Sequence, residues 1–291
     1  MERRGIAFSV TVALAALAIA PAASADTNLG TVAGLTYMRD SSGPAVAPPS
    51  VVGADAACPH GTHVVGGGFA GSAVRTRSAQ FWINSIHPFD GPDANDVPDD
   101  GWTGRGFNRF GTDKRGVVHA ICSAGTVRYT SNSRSLSPGS AGVVRANCPA
   151  GTYVSGGGVS LDGPATEAFI NASSPRDSKD ADHTPDDGWF AHAYNQGGSS
   201  KTLSAYAACV SALPGYVEYG ARFEGDTLSP GCFGDHAMGG GAAIAGPRDA
   251  SWLARISPVG SPNDPPDAGF VATVYRADTN VAYLAVAICK S

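Results

Sequence analysis

The sequence predicts an all-β protein built from three copies of one unit. Three observations carry this. Apolar residues alternate with period two, and no long segment has helical spacing. Gly, Pro and Asp punctuate the chain at short intervals. One phrase recurs three times, as CPHGTHVVGGG (58–68), CPAGTYVSGGG (148–158) and CFGDHAMGGG (232–241).

The elements follow in order. Residues 1–25 read as a secretory leader, with Arg3 and Arg4, an apolar run from Ile6 to Ala20, and Ala23-Ser24-Ala25 as the cleavage signal before Asp26. The apolar run is short for a bilayer span, so membrane insertion is not expected. Three repeats follow, at 26–122, 123–212 and 213–291. Each opens with a Tyr-centred strand, GLTYMR, TVRYTS or YVEYGA, which aligns Tyr37, Tyr129 and Tyr219. A link runs to the first cysteine and the glycine triplet. An aromatic strand ending in proline is next: FWINSIHP, AFINASSP and SWLARISP. Acidic loops lead to PDDGW, PDDGW and PDAGF, which open strands GWTGRGFN, GWFAHAYN and GFVATVYR. In the second of these, Trp189, Ala191, Ala193 and Asn195 share one face, and Phe190, His192 and Tyr194 the other. A last strand enters the second cysteine as VVHAIC, SAYAAC or LAVAIC.

Four to five strands per copy give roughly 12–15 in all, within ordinary strand lengths. Two arrangements fit: a pseudo-threefold, β-prism-like closed body, or three disulfide-stapled domains in tandem. The links contain strand-like pieces, which favours the closed body. A glycine in a strand interior costs about 0.5–1 kcal/mol relative to alanine, so a triplet written three times needs a reason. Clearance where three sheets meet supplies one, and places Gly67, Gly157 and Gly240 near the axis or at matching bends. An anion cradle is the other reading, but no helix or GK[ST] ending follows.

All six cysteines lie after the leader, at positions 58, 122, 148, 209, 232 and 289. An even count in an exported chain reads as disulfides. Their equivalent places in the copies make Cys58–Cys122, Cys148–Cys209 and Cys232–Cys289 the economical pairing. Each closes a loop that the chain-entropy argument values at about 4 kcal/mol.

Net charge is −5 for the whole chain. Losing a leader with two arginines and one glutamate makes it more negative still. That argues against nucleic acid or anionic lipid as a partner. Arginine greatly outnumbers lysine, and alanine and glycine abound, a bias of GC-rich bacterial genomes.

No G-x-S-x-G, H-E-x-x-H or P-loop is present, so no catalytic residue is nominated. His60 and His63 near Cys58 resemble zinc spacing, but an oxidised cysteine offers no thiolate. The acidic loops are the better metal candidates: Asp93, Asp96, Asp99 and Asp100 in the first copy, and Asp182, Asp186 and Asp187 in the second. Calcium takes six to eight oxygens and is the cofactor to consider; turn formation explains the same residues. The third loop keeps only Asn263, Asp264 and Asp267. Aromatic and amide residues recur at matching places. Trp82, Trp102 and Asn108, with Phe169, Trp189 and Asn195, are either core packing or a sugar-binding platform.

The phrase C-P-x-G-x-x-V-x-G-G-G, followed by an aromatic strand, G-W and A-x-x-C, resembles a module of exported bacterial proteins found in actinobacteria and after collagen-like stalks. The likeness spans nearly the whole chain after the leader. The third copy departs from it, with Phe233 in place of proline and one residue fewer before the glycines. The resemblance implies a secreted, disulfide-bonded β repeat and no catalytic activity. The expected function is thus a secreted, non-enzymatic binding or structural protein with a glycan or cell-surface component as partner. The alternative is an extracellular polymer hydrolase using loop carboxylates.

Overall fold

The structure, a computed structural model, describes residues 26–72, 81–92, 95–163, 166–177, 184–221, 226–245, 249–260, 265–276 and 281–291. The leader at 1–25, Asp93, Asp182, Asn263 and Asp264 lie outside these residues. The described residues form 19 strands and no helix, more than the sequence count because the links are themselves strands.

The first copy supplies β1 (Thr27–Val32), β2 (Leu35–Ser41), β3 (Ser50–Ala57), β4 (His63–Gly71), β5 (Phe81–Phe89), β6 (Gly101–Asn108) and β7 (Gly116–Ser123). The second supplies β8 (Arg128–Leu136), β9 (Ala141–Asn147), β10 (Tyr153–Leu161), β11 (Ala168–Arg176), β12 (Gly188–Asn195) and β13 (Lys201–Val210). The third supplies β14 (Gly215–Ala221), β15 (Thr227–Leu228), β16 (His236–Ala245), β17 (Ser251–Val259), β18 (Gly269–Arg276) and β19 (Ala282–Lys290).

These strands make three antiparallel sheets, and no sheet belongs to one copy. Sheet I runs β1-β2-β7-β4-β17-β18-β15, sheet II runs β3-β6-β5-β10-β13-β8, and sheet III runs β14-β19-β16-β11-β12-β9. Each copy therefore gives its tyrosine, final and glycine strands to one sheet, and its link, aromatic and G-W/F strands to the next. The half-sheets join through short pairings at equivalent places: Ile256 with Phe69, Ile86 with Val159, and Ser173 with Ala242. This is the closed, pseudo-threefold arrangement and not tandem beads.

Interleaving makes the repeated residues intelligible. The bridges Cys58–Cys122, Cys148–Cys209 and Cys232–Cys289 all form, with Cα–Cα distances of 5.7, 5.7 and 5.6 Å. The first cysteine of each pair follows a link strand in one sheet, and the second ends a strand of another. Each bridge thus fastens two sheets together. The tyrosines do the same through their hydroxyls. Tyr37 donates to Ala237 O at 2.6 Å, Tyr129 to Val64 O at 2.6 Å and Tyr216 to Val154 O at 2.7 Å. The third member is Tyr216, which pairs with Ile288, and not Tyr219, which pairs with Ala285. The YVEY text offers two tyrosines, and only the register next to the last cysteine distinguishes them.

The three glycines of a triplet have three different jobs. A β-bulge precedes each triplet, between Val64 and Gly66, Val154 and Gly156, and Ala237 and Gly239. The first glycines then meet round the axis. A Cβ on Gly66 would lie 2.1 Å from Met238 O, on Gly156 2.4 Å from Val65 O, and on Gly239 2.1 Å from Ser155 O. The middle glycines, expected near the axis or at matching bends, follow the bulges directly and make room for their own copy's aromatic residue: Trp102 against Gly67, Trp189 against Gly157, Phe270 against Gly240. The third glycines face the main chain of the neighbouring half-sheet, as Gly158 does at Ile86 O and His87 Cα.

Candidate functional site

The aromatic and amide residues nominated from sequence are interior. Trp82, Trp102 and Trp189 are at most 1% exposed, Phe169 is 5% exposed, and Asn108 and Asn195 are fully buried. Trp82, Phe169 and Trp252 pack as a triangle, with ring centroids 4.9 to 5.6 Å apart. Phe107 joins Trp82 at 5.0 Å, and Tyr275 stacks on Trp252 at 4.2 Å. The cluster gathers the same two positions of every copy, so these rings pack against one another and present no face to a ligand. The amides are engaged too. Asn108 donates to Val46 O and Thr112 O, and Asn195 to Leu136 O and Ser199 O. In the third copy Arg276 takes over, donating to Val281 O and to the buried Asp226. A sugar platform built from these six residues is replaced by packing: Trp102, Trp189, Asn108 and Asn195 face the interior of their sheets, while Trp82 and Phe169, on the opposite face with Phe107 and Tyr194, are buried in the second cluster with Trp252.

The PDD turns are clamps on the bulged strands. Cys58 N donates to Asp100 O and Val64 N to Asp99 O; Cys148 and Val154 make the same bonds to Asp187 and Asp186. Cys232 and Ala237 repeat them with Ala268 and Asp267. The Asp99 carboxylate accepts from His63 Nδ1 at 2.7 Å, and Asp267 from His236 Nδ1 at 2.7 Å. Asp100 accepts from Gly91 N at 2.6 Å. Among the described residues no three His, Cys, Asp or Glu side chains gather closely enough to hold a metal ion. Asp96 is exposed, with φ +56°.

What differs among the copies lies on the outer faces of the sheets, across the seams between half-sheets. Register makes the positions equivalent. On sheet II one row reads Arg105–Ser85–Ser160–Ser204–Ser133, and the next Asp55–Thr103–His87–Gly158–Tyr206–Ser131. Sheet III carries His192–Ala172–Ala243–Leu284 and Phe190–Ser174–Gly241–Val286 in those places. Sheet I carries Thr273–Arg255–Ala70–Val117 and Ser257–Gly68–His119–Arg39. One backbone therefore displays hydroxyls on one face, apolar groups on another and cations on the third.

Sheet II has the most developed surface. His87 and Tyr206 stack across the bare Gly158 at 4.5 Å and 14°. Burial, above all, lowers the His87 pKa and favours the neutral ring. Arg105 grips Asp55 with two nitrogens at 2.8 and 2.9 Å and also reaches Ala54 O. The Asp55 pKa stays below its ordinary value: burial pushes it up, and hydrogen bonds from Arg105 and Thr103 more than offset this. Ser133 and Ser204 share a hydrogen bond at 2.8 Å. Sequence reasoning did not single out these residues. The signal was present, however, since outward positions that change from copy to copy on an invariant frame are the ones free to specialise.

No protein-family model and no curated protein matches this chain. Three closed disulfides, with no described helix long and apolar enough to cross a membrane, are compatible with an extracellular protein.

Proposed function

We propose that the chain is a secreted, non-enzymatic binding protein whose ligand is a polyhydroxylated one, a glycan or a glycan-bearing component of a cell surface. The observation that carries this reading is the outer face of sheet II. Four serines lie in register on four adjacent strands, in a row that starts at Arg105 of the Arg105–Asp55 pair and runs beside the row holding the His87–Tyr206 stack. Sugars are held by hydroxyl and charged hydrogen-bonding groups set beside ring surface, and a rigid sheet presents such groups without further ordering cost. Export is supported by the leader-like residues 1–25, the disulfides and the resemblance to an exported bacterial module.

The alternative, a polymer hydrolase, would use loop carboxylates, yet Asp99 and Asp100 are spent on His63 and Gly91 N. A glycan array with the mature protein tests the proposal. Saturable binding that is lost in Arg105→Ala with Ser160→Val, at unchanged melting temperature, is the expected result. Binding to no glycan, or binding indifferent to both substitutions, overturns the site. Release of reducing ends with time would favour the hydrolase.

A further inference from the structure

We propose that the equivalent groove on sheet I binds an oxyanion, that is, a carboxylate, sulfate or phosphate group carried by an extracellular ligand. The groove encloses about 440 Å³ at the seam between β4 and β17, and Arg39, His119, Arg255 and Ser257 contribute its polar lining. No carboxylate is among its described lining residues. Asp40, next in sequence to Arg39, pairs opposite the buried Val118 and so leaves on the other face of β2.

The register brings the cations together. Arg39 lies directly opposite His119, and Gly68 lies opposite His119 on the far side. Arg255 enters from the neighbouring half-sheet, opposite Ala70. Gly68, where a Cβ would meet Ser257 Cα and Ile256 O, lets the Arg255–Ser257 strand close up beside His119. On sheet II two stacked rings, His87 and Tyr206, meet across Gly158, whereas here the same positions carry Ser257 and His119, and both line the groove. Arg255 Nε donates to Ser257 Oγ at 2.8 Å, which fixes the guanidinium plane and leaves its terminal nitrogens for another acceptor. His119 Nδ1 is buried with no hydrogen-bond partner. Its pKa falls to about 3, from burial first and then from Arg39 and Arg255, so the ring is neutral and both guanidiniums lie within electrostatic reach of it.

Two guanidiniums that line one groove without a carboxylate partner among the described residues leave its positive charge unneutralised in an acidic protein. A planar or tetrahedral oxyanion matches the guanidinium fork and accepts from it with charge assistance. The imidazole N–H and the Ser257 hydroxyl supply further donors. A purely architectural role would repeat in every copy, and this one does not. The places of Arg39 and Arg255 are taken by Ser131 and Ser85 on sheet II, and by Glu218 and Ala172 on sheet III. The groove is independent of the hydroxyl face, so either reading stands if the other fails.

The test is titration of the intact mature protein with sodium sulfate and sodium phosphate at low ionic strength, against sodium chloride at matched ionic strength. NMR of the Arg Nε–H and His side-chain signals is the readout. Saturable shifts at Arg255 and His119 are expected, weakened about tenfold or more in Arg39→Gln with Arg255→Gln, and unchanged in Arg105→Gln on sheet II. A uronic-acid oligosaccharide and a sulfated one, compared at equal charge, then distinguish carboxylate from sulfate carriers. Shifts no larger than those with chloride overturn the proposal, as do shifts that survive the double substitution in a protein with wild-type melting behaviour.

Discussion

Substituting Gly156 by alanine adds one methyl group at the point where three strands meet. That Cβ would sit 2.4 Å from Val65 O and 2.7 Å from Gly66 Cα. Ordinary contact needs about 3.5 Å, so the neighbouring strand must retreat by roughly 1 Å. Both obstructing atoms are main chain, and that strand is itself bulged and hydrogen-bonded into sheet I. Overpacking costs about 1–3 kcal/mol where side chains can yield, and with only backbone to move the upper end applies. Loss of glycine's freedom in the unfolded chain returns about 0.4–1 kcal/mol. The net is a destabilisation of about 2 kcal/mol, which lowers the melting temperature by about 4–8 °C in a protein of this size. Gly198→Ala is the control, because nothing lies within 4 Å of a Cβ there. Urea unfolding should show a lower midpoint for Gly156→Ala with an unchanged slope. If the two variants agree within about 0.5 kcal/mol, a range ordinary for surface substitutions, the axial packing is not as described.

Tyr129→Phe removes the hydroxyl that joins sheet II to Val64 O. It should cost about 1–2 kcal/mol by denaturant titration, since a buried carbonyl loses its donor. Burial holds His119 near pKa 3 in the folded protein, below its unfolded value of 6.5. The unfolded state therefore binds the extra proton between those values. Stability from this group is complete above about pH 6.5 and is lost as pH falls towards 3, with a slope of up to about 1.4 kcal/mol per pH unit. His119→Gln should remove that part of the slope, measured in an oxyanion-free buffer. If the first acidic loop holds calcium, millimolar calcium raises the melting temperature and Asp99→Asn with Asp100→Asn abolishes the gain. No shift beyond that of sodium at equal ionic strength assigns those carboxylates to turn contacts alone.

Much of the architecture was legible because the chain carries its own comparison. Cysteines, glycine triplets and PDDGW turns recur, and each proves to serve the closure of the body. Alternation in GWFAHAYN assigned inward and outward faces correctly, with Trp189, Ala191, Ala193 and Asn195 all buried. The same repetition misled where function was concerned. Trp82, Phe169 and Trp252 recur because the copies pack against one another through them, and recurrence is a mark of framework. The binding surfaces we propose, by contrast, lie where the copies disagree, as at Ser85, Ala172 and Arg255. Pairing register decides which residues share a seam, and register depends on bulges at Val65, Ser155 and Met238 that the sequence does not announce. Tyr216 against Tyr219 is the same difficulty at one position.

The copies exchange half-sheets, so that none is complete alone. Expression of residues 123–212 tests this directly. In the whole chain β10 pairs with β5 of the first copy and β11 with β16 of the third; the fragment keeps Cys148–Cys209 but leaves both edges bare. Size-exclusion chromatography should find it insoluble or assembled into trimers that rebuild the three seams. A monomer with dispersed amide signals and the melting behaviour of a folded domain would contradict the interleaved body.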